Sequence, residues 1–143
     1  MKISAKGDYA CKAVLELTLK HQEGKPVQIG EIAKNQSIPL KYLEQILVVL
    51  KKGGIAKSKR GAEGGYSLAK NPKDITVADV IALTDGPFVT TPCSDDNCET
   101  QDVCCFLPIW SELEKQIYKV LSGTNFEELS EKVNQGQQLM YHI

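Results

Sequence analysis

The most constraining feature of the sequence is an amphipathic stretch that ends in two glycines and leads directly into two short extended stretches. Pro39 suits the first position of a helix, and Gly53-Gly54 predicts its end. The extended stretches, 55–59 and 66–69, are joined by a glycine-rich segment and predict a hairpin. Between the proline and the glycines, four apolar residues recur at the spacing of one helical face: Leu43, Ile46, Leu47 and Leu50.

Helical periodicity elsewhere completes the predicted architecture. It predicts further helices over residues 4–21, 27–35, 76–83 and 109–121, and a last one from a capping box of Thr124 and Glu127 to Val133. A short helix, a turn, a second helix and a hairpin follow one another, as in a winged helix-turn-helix domain. We therefore expect a mainly α fold with a small β wing, followed by a long dimerisation helix. The expected division is a DNA-binding domain over 1–85, a cysteine-containing sensor loop over 86–107 and a dimerisation region over 108–143.

The distribution of charge favours a polyanionic partner for the first part of the chain. The net charge is −1, but residues 1–85 hold 14 Lys and Arg against 9 Asp and Glu, whereas residues 86–143 hold 3 against 9. A net charge of +5 on one part can bind a polyanion, and −6 on the other repels it. The chain shows no signal-peptide pattern and no apolar run of membrane-spanning length, so we expect a cytoplasmic protein that does not contact membranes.

The second helix and the hairpin carry the residues expected to contact double-stranded DNA. From residue 41 to residue 60 there are six basic residues and one acid, Glu44. Basic residues on the helix and wing predict phosphate contacts, and polar residues near the helix start predict base reading in the major groove. Winged helices also bind proteins, but this charge placement favours DNA. The predicted DNA-binding residues are Lys41, Tyr42, Glu44, Gln45, Lys51, Lys52, Lys59 and Arg60.

Three sequence motifs resemble one family of regulators. They are Ala5-Lys6-Gly7-Asp8-Tyr9-Ala10, Tyr42-Leu43-Glu44-Gln45-Ile46-Leu47, and Arg60-Gly61-Ala62-Glu63-Gly64-Gly65-Tyr66-Ser67-Leu68. Together they closely resemble the IscR/NsrR group of winged-helix iron–sulfur regulators, the Rrf2 family, from residue 1 to about residue 133. Ala62 and Glu63 depart from the family's usual RGPGGGY wing, and Glu63 places a negative charge near phosphate. The resemblance implies a homodimer on a pseudo-palindromic operator, with the helix 109–121 as the dimer element. The apolar stripe of that helix independently favours a partner.

Five cysteines, at positions 11, 93, 98, 104 and 105, point to metal or redox chemistry. An odd number without a secretion signal argues against a disulfide framework. Cys93, Cys98 and Cys104 lie in the segment without helical period, and thiolates that converge in a loop suit an inorganic cluster. The resemblance implies an iron–sulfur cluster, [2Fe-2S] or [4Fe-4S], although the first gap is one residue shorter than in similar regulators.

The fourth ligand of such a cluster is open. The IscR branch has a histidine three residues after the third cysteine, where this chain has Leu107. The NsrR branch uses an aspartate near the N-terminus that reaches across from the other subunit and corresponds to Asp8 in this chain, although an ion pair with Lys12 is an equally simple role for it. Cys105 and Cys11 are alternative ligands.

Other chemistries and functions compete with an iron–sulfur sensor. Zinc is the alternative cofactor, because thiolates bind it well. A thiol–disulfide redox regulator and a metabolite-responsive repressor without a cluster are alternative functions. No enzyme is expected, because His21 and His142 lie in no catalytic motif.

Overall fold

The computed structural model describes residues 2–88, 99 and 103–141 and confirms a mainly α fold with a two-stranded antiparallel sheet. The elements in this part of the chain are α1 (Ala5–His21), α2 (Ile29–Gln36), α3 (Leu40–Lys52), β1 (Ala56–Lys59), β2 (Gly65–Leu68), a 3₁₀ turn (Pro72–Asp74), α4 (Val77–Asp85), α5 (Leu107–Ser122) and α6 (Phe126–Tyr141).

Helix α1 lies at the centre of the fold and contacts α2, α3, α4, α6 and β2. Its N-cap is Ser4, whose hydroxyl accepts a hydrogen bond from the Gly7 backbone N–H at 2.9 Å. The buried face of α1 includes two alanines, Ala10 and Ala13, which let the neighbouring helices approach closely. The other elements therefore take their positions from α1.

The turn between α2 and α3 is closed by a residue in the left-handed conformation. Ser37 has φ 53° and ψ 44°, and the next residue, Ile38, donates its N–H to the Ala33 carbonyl at 2.9 Å. Helix α3 begins at Leu40, one residue later than predicted, because Pro39 takes the N-cap position with extended backbone. The predicted apolar stripe of α3 is confirmed, since all four of its residues are fully buried.

The predicted wing is confirmed, and an isolated β-bridge joins it to the segment before α2. Strands β1 and β2 pair in antiparallel register from Ala56 opposite Leu68 to Lys59 opposite Gly65. Val27 and Tyr66 also exchange backbone hydrogen bonds of 2.7 and 2.8 Å. Gly65 has φ +146°, and a Cβ there would lie 2.4 Å from the Val27 carbonyl oxygen, so only glycine fits at this crossing. The wing is thus fixed to the chain segment that leads into α2.

The C-terminal helix packs onto the winged-helix core. Phe126 is 1% exposed, and its N–H donates to the Ile75 carbonyl at 3.0 Å. The predicted end at Val133 is wrong, because α6 continues to Tyr141. The predicted capping box is also misplaced by one residue: Asn125 Oδ1, not the Thr124 hydroxyl, accepts from a first-turn backbone N–H, that of Glu128, at 3.0 Å.

Helix α5 has an exposed apolar face. It begins at Leu107, two residues before the predicted start, and none of its residues is fully buried. Its contacts include α4 and a tilted pairing of Tyr118 with Phe88 at 6.2 Å between ring centroids. Four apolar side chains at or beside the predicted stripe are 42–69% exposed: Phe106, Ile109, Leu113 and Val120. Among the described residues, no helix is both long and apolar enough to cross a membrane.

Candidate DNA-binding surface and cysteine segment

The solvent-facing side of α3 carries the residues predicted to read bases. Lys41, Tyr42, Glu44 and Gln45 are all exposed, whereas the apolar stripe of the same helix faces the core. Because they lie in the first two turns, they are at the end of the helix that enters the major groove in helix-turn-helix proteins. Gln45 can pair with adenine, and Glu44 can accept from the cytosine amino group.

Tyr42 is held in place by an aromatic contact with α1. Its ring centroid lies 6.0 Å from that of Tyr9 at an interplanar angle of 59°, although Tyr42 stays 52% exposed. Lys12 Nζ lies 5.8 Å from the Tyr9 centroid on the same helix. In the sequence analysis Tyr9 has no role beyond its place in a family motif, and the structure makes it a direct support of the exposed Tyr42 side chain.

The basic residues of the wing region are exposed. Lys51 Nζ donates to the Ser58 hydroxyl at 2.7 Å, which ties the end of α3 to β1. Lys52, Lys59 and Arg60 are exposed and make no ion pair within the described part of the chain. These side chains therefore present positive charge that is free to meet phosphate.

Asp8 and Lys12 form an ion pair on the surface of α1. Asp8 Oδ2 lies 2.8 Å from Lys12 Nζ, and the two side chains are 54% and 44% exposed. The hydrogen bond with Asp8, followed by the charge of Asp8, raises the pKa of Lys12. The ion pair anticipated from the sequence is present, and because it is exposed it is weak enough for Asp8 to change partners.

The cysteines that the structure describes have different surroundings. Burial, followed by the charges of Asp8 and Asp85, raises the pKa of the Cys11 thiol to about 12. Cys104 is half-buried just before α5, and Cys105 beside it is exposed. Cys93 and Cys98 lie outside the described residues. Within residues 2–88, 99 and 103–141, no three His, Cys, Asp or Glu side chains come together as a metal site.

Comparison with known proteins identifies the family. Residues 3–132 match the Rrf2 family, described as "Iron-dependent Transcriptional regulator". The chain belongs to the Rrf2 family. It is 39% identical over 130 residues to the HTH-type transcriptional regulator IscR of Photorhabdus laumondii, an alignment that covers 90% of this chain and 79% of that protein. As an Rrf2 protein it is a DNA-binding transcriptional regulator and not an enzyme.

Solved Rrf2 structures share its fold. The T. potens IscR structure matches with a TM-score of 0.79 and 32% identity, covering 96% of this chain and 91% of that one. The structure of CymR, the global cysteine regulator of B. subtilis, matches with a TM-score of 0.76 and 33% identity, covering 92% and 98%. The similarity to these two regulators therefore extends over more than nine-tenths of this chain.

A contact that the sequence analysis missed joins the end of α4 to the start of α1 in this Rrf2 chain. The Asp85 carboxylate accepts hydrogen bonds from the Ser4 hydroxyl and, at 2.9 Å, from the Ser4 backbone N–H. Gly7 packs against the same carboxylate, since a Cβ there would lie 2.8 Å from Asp85 Oδ2. Asp85 is the last residue of α4, so this contact anchors the chain where the cysteine segment begins, that is, the segment between Asp85 and α5 that carries Cys93, Cys98 and Cys104.

Proposed function

We propose that the chain is a homodimeric regulator that senses redox, nitric oxide or iron–sulfur status through a cluster held by Cys93, Cys98, Cys104 and Asp8. The observation that carries the proposal is membership of a family described as iron-dependent, combined with three thiols in the segment between Asp85 and α5. A bound cluster supplies redox-active iron, which is the chemistry that such a sensor needs.

The donor chemistry of the described residues fits this ligand set. Cys104 is only half-buried, and Asp8 is exposed with one weak partner, so both side chains are accessible. The raised pKa of Cys11 keeps its sulfur protonated at neutral pH, whereas metals bind the thiolate. Cys105 is exposed, but adjacent residues of an extended chain point in opposite directions. Asp8 is therefore a better fourth ligand than either cysteine.

The same geometry suggests how the sensor segment acts on DNA binding. Asp85 contacts Ser4 and Gly7, which lie in the turn of α1 that includes Asp8. The next residue, Tyr9, supports Tyr42 on the reading face of α3. Asp8 would exchange Lys12 for the cluster held by the cysteines of the other protomer, and a shift of this turn of α1 would reach α3 through Tyr9 and Tyr42. A difference of about 1–3 kcal/mol between the two states is enough for a useful switch.

We assign DNA contacts to both elements of the reading surface. The base-reading residues are Lys41, Tyr42, Glu44 and Gln45, and the phosphate contacts come from Lys51, Lys52, Lys59 and Arg60. The exposure of all eight side chains supports this assignment. The expected division at residues 85 and 107 assigns the DNA contacts to the first part, and the dimer contact to the part after residue 107.

The exposed stripe of α5 supports the dimer. Phe106, Ile109, Leu113 and Val120 leave a row of apolar surface on a helix with no buried residue. A second copy that packs the same stripe against it would remove this surface from water and give the two-fold symmetry of a palindromic operator.

Anaerobic purification tests the cofactor. We expect coloured protein that contains iron and sulfide, and a colourless product when Cys93, Cys98 and Cys104 are all replaced by Ala. Cys105→Ala is the matched control and keeps the colour. Colourless wild-type protein with stoichiometric zinc would replace the cluster with a zinc site.

A thiol–disulfide regulator is the second candidate. It is favoured by the adjacent thiols of Cys104 and Cys105 and by the fold shared with the oxidized form of Staphylococcus aureus CymR, with a TM-score of 0.72, 29% identity and coverage of 92% and 97%. To separate the candidates, an operator is selected from random-sequence duplexes. If the triple cysteine variant binds it with the wild-type response to oxygen and nitric oxide, the cysteine sensor is refuted. If Cys105→Ala alone removes the response in iron-free protein, the disulfide candidate is favoured.

A further inference from the structure

A cleft of about 600 Å³ lies between α1, the end of α2 and α6. Its volume is in the range of small-molecule binding sites. Leu15, Leu19 and Val133 contribute apolar surface, and the other lining residues are polar or charged, Lys20 among them. None of its lining residues belongs to α3, the wing or the cysteine segment. The cleft is therefore separate from both the candidate DNA-binding surface and the proposed cluster site.

A buried carboxylate faces this cleft. Glu16 is only 4% exposed, and its two oxygens accept hydrogen bonds from Asn35 Nδ2 at 2.7 Å and from Gln36 Nε2 at 2.9 Å. A carboxylate has about four acceptor positions, so each oxygen can accept another hydrogen bond. Both donors are neutral amides, which satisfy hydrogen bonding but do not balance charge. Buried charges in proteins are ordinarily paired.

Two basic residues of α1 lie four residues from Glu16, and both pair with other acids. Lys12 pairs with Asp8, and Lys20 is turned toward two other carboxylates. Lys20 lies four residues after Glu16, in the favourable order for a helical ion pair. Its Nζ is instead 3.7 Å from Glu31 Oε1 and 4.0 Å from Glu23 Oε1. No ion pair to Glu16 occurs within the described part of the chain. The cleft therefore offers three apolar side chains beside a carboxylate that makes no ion pair in the described part of the chain.

We propose that this cleft binds a small primary ammonium ligand with a short, branched apolar body. The ligand donates its N–H groups to Glu16, and its apolar body contacts Leu15, Leu19 and Val133. Asn35 and Gln36 are the last two residues of α2, directly before the left-handed Ser37. A ligand in the cleft thus reaches the turn that sets α3, by a route independent of the cysteines.

The test is a titration with 3-methylbutylammonium chloride, followed by NMR of the side-chain amide groups of Asn35 and Gln36. Six non-hydrogen atoms predict a Kd on the order of 1 mM. We expect saturable shifts of both amides. The neutral isostere 3-methylbutan-1-ol and sodium chloride at equal concentration should give less than about a tenth of the response, because neither donates charged N–H groups.

Two variants make the result specific. Glu16→Gln should weaken binding at least about tenfold. Val133→Trp fills the cleft from α6 without touching the Glu16 hydrogen bonds, and should abolish binding, whereas Gln135→Trp on the exposed side of α6 should not. The proposal is overturned if the amides do not shift, if the alcohol binds as well as the ammonium, or if Val133→Trp binds like wild type. Because the cysteines are not involved, the triple cysteine variant should bind the probe normally.

Discussion

Replacing Phe126 by Ala should strongly destabilise the whole winged-helix domain. Phe126 is 1% exposed and lies in the same core as the residues of α1 and α3. Losing the phenyl ring removes its burial and leaves a cavity, which together cost about 3–5 kcal/mol for a fully buried Phe. A domain of this size has a total stability of about 5–15 kcal/mol. We therefore expect a folded but much less stable variant.

Urea unfolding measures this loss, with Phe106→Ala as the matched control. With an m-value of about 2 kcal/mol/M, the midpoint of Phe126→Ala should fall by about 1.5–2.5 M at unchanged m. Phe106 is 56% exposed, so its replacement should cost less than about 1 kcal/mol, and any larger loss should vary with protein concentration as a dimer contact would. A loss below about 1.5 kcal/mol for Phe126→Ala, or equal losses for both variants, would show that α6 does not complete the core.

Three further outcomes are expected. In Lys59→Ala, the slope of the logarithm of the DNA-binding constant against the logarithm of the salt concentration should become shallower by about 0.9 per protomer, as measured by fluorescence anisotropy. An unchanged slope would remove Lys59 from the phosphate contacts. Glu63→Gly should tighten DNA binding, because it removes a negative charge near phosphate. Ser37→Gly should raise the free energy of unfolding by about 0.5 kcal/mol, because glycine relieves the left-handed strain at some cost in entropy. Ser37→Val should lower it, and the reverse order of the two variants in urea unfolding would contradict the turn geometry. Because the pKa of Cys11 is raised in the folded protein, the unfolded chain loses this proton at a lower pH, so the free energy of unfolding is constant below about pH 9 and declines above it. Between pH 8 and pH 10 the metal-free wild type should lose about 1 kcal/mol more than Cys11→Ala. Parallel pH profiles of the two proteins would refute the burial of the thiol.

The elements that the sequence predicts well are those whose signal is local. The stripe of α3 and the hairpin follow from spacing within about a dozen residues, and both are confirmed. The end of α6 was missed, because polar residues such as Asn134, Gln135 and Gln137 carry no apolar period. Its cap was displaced by one residue because Thr124 and Asn125 are both good capping residues, and only the backbone decides between them.

The parts of the site that escape sequence reasoning depend on contacts between distant positions. Ser4 and Asp85 are 81 residues apart, and neither belongs to a recognisable pattern. Tyr9 reads as an ordinary apolar position until α3 places Tyr42 beside it. Glu16 is a charged residue within an apolar helix, but its burial depends on amides supplied by α2. Such residues are fixed by packing, which a single sequence does not reveal.

The two ends of the cysteine segment are anchored to different degrees, and this decides where its state can be transmitted. At one end, Asp85 is hydrogen-bonded to Ser4 in the turn of α1 that includes Asp8. At the other end, α5 has no buried residue, and the next fully buried side chain after it is Phe126 in α6. A firmly packed anchor transmits a displacement, whereas a loosely packed helix absorbs it unless a second copy covers its exposed stripe. In the proposed sensor we therefore expect the response to pass through Asp85 and α1 within one protomer, and through α5 between protomers.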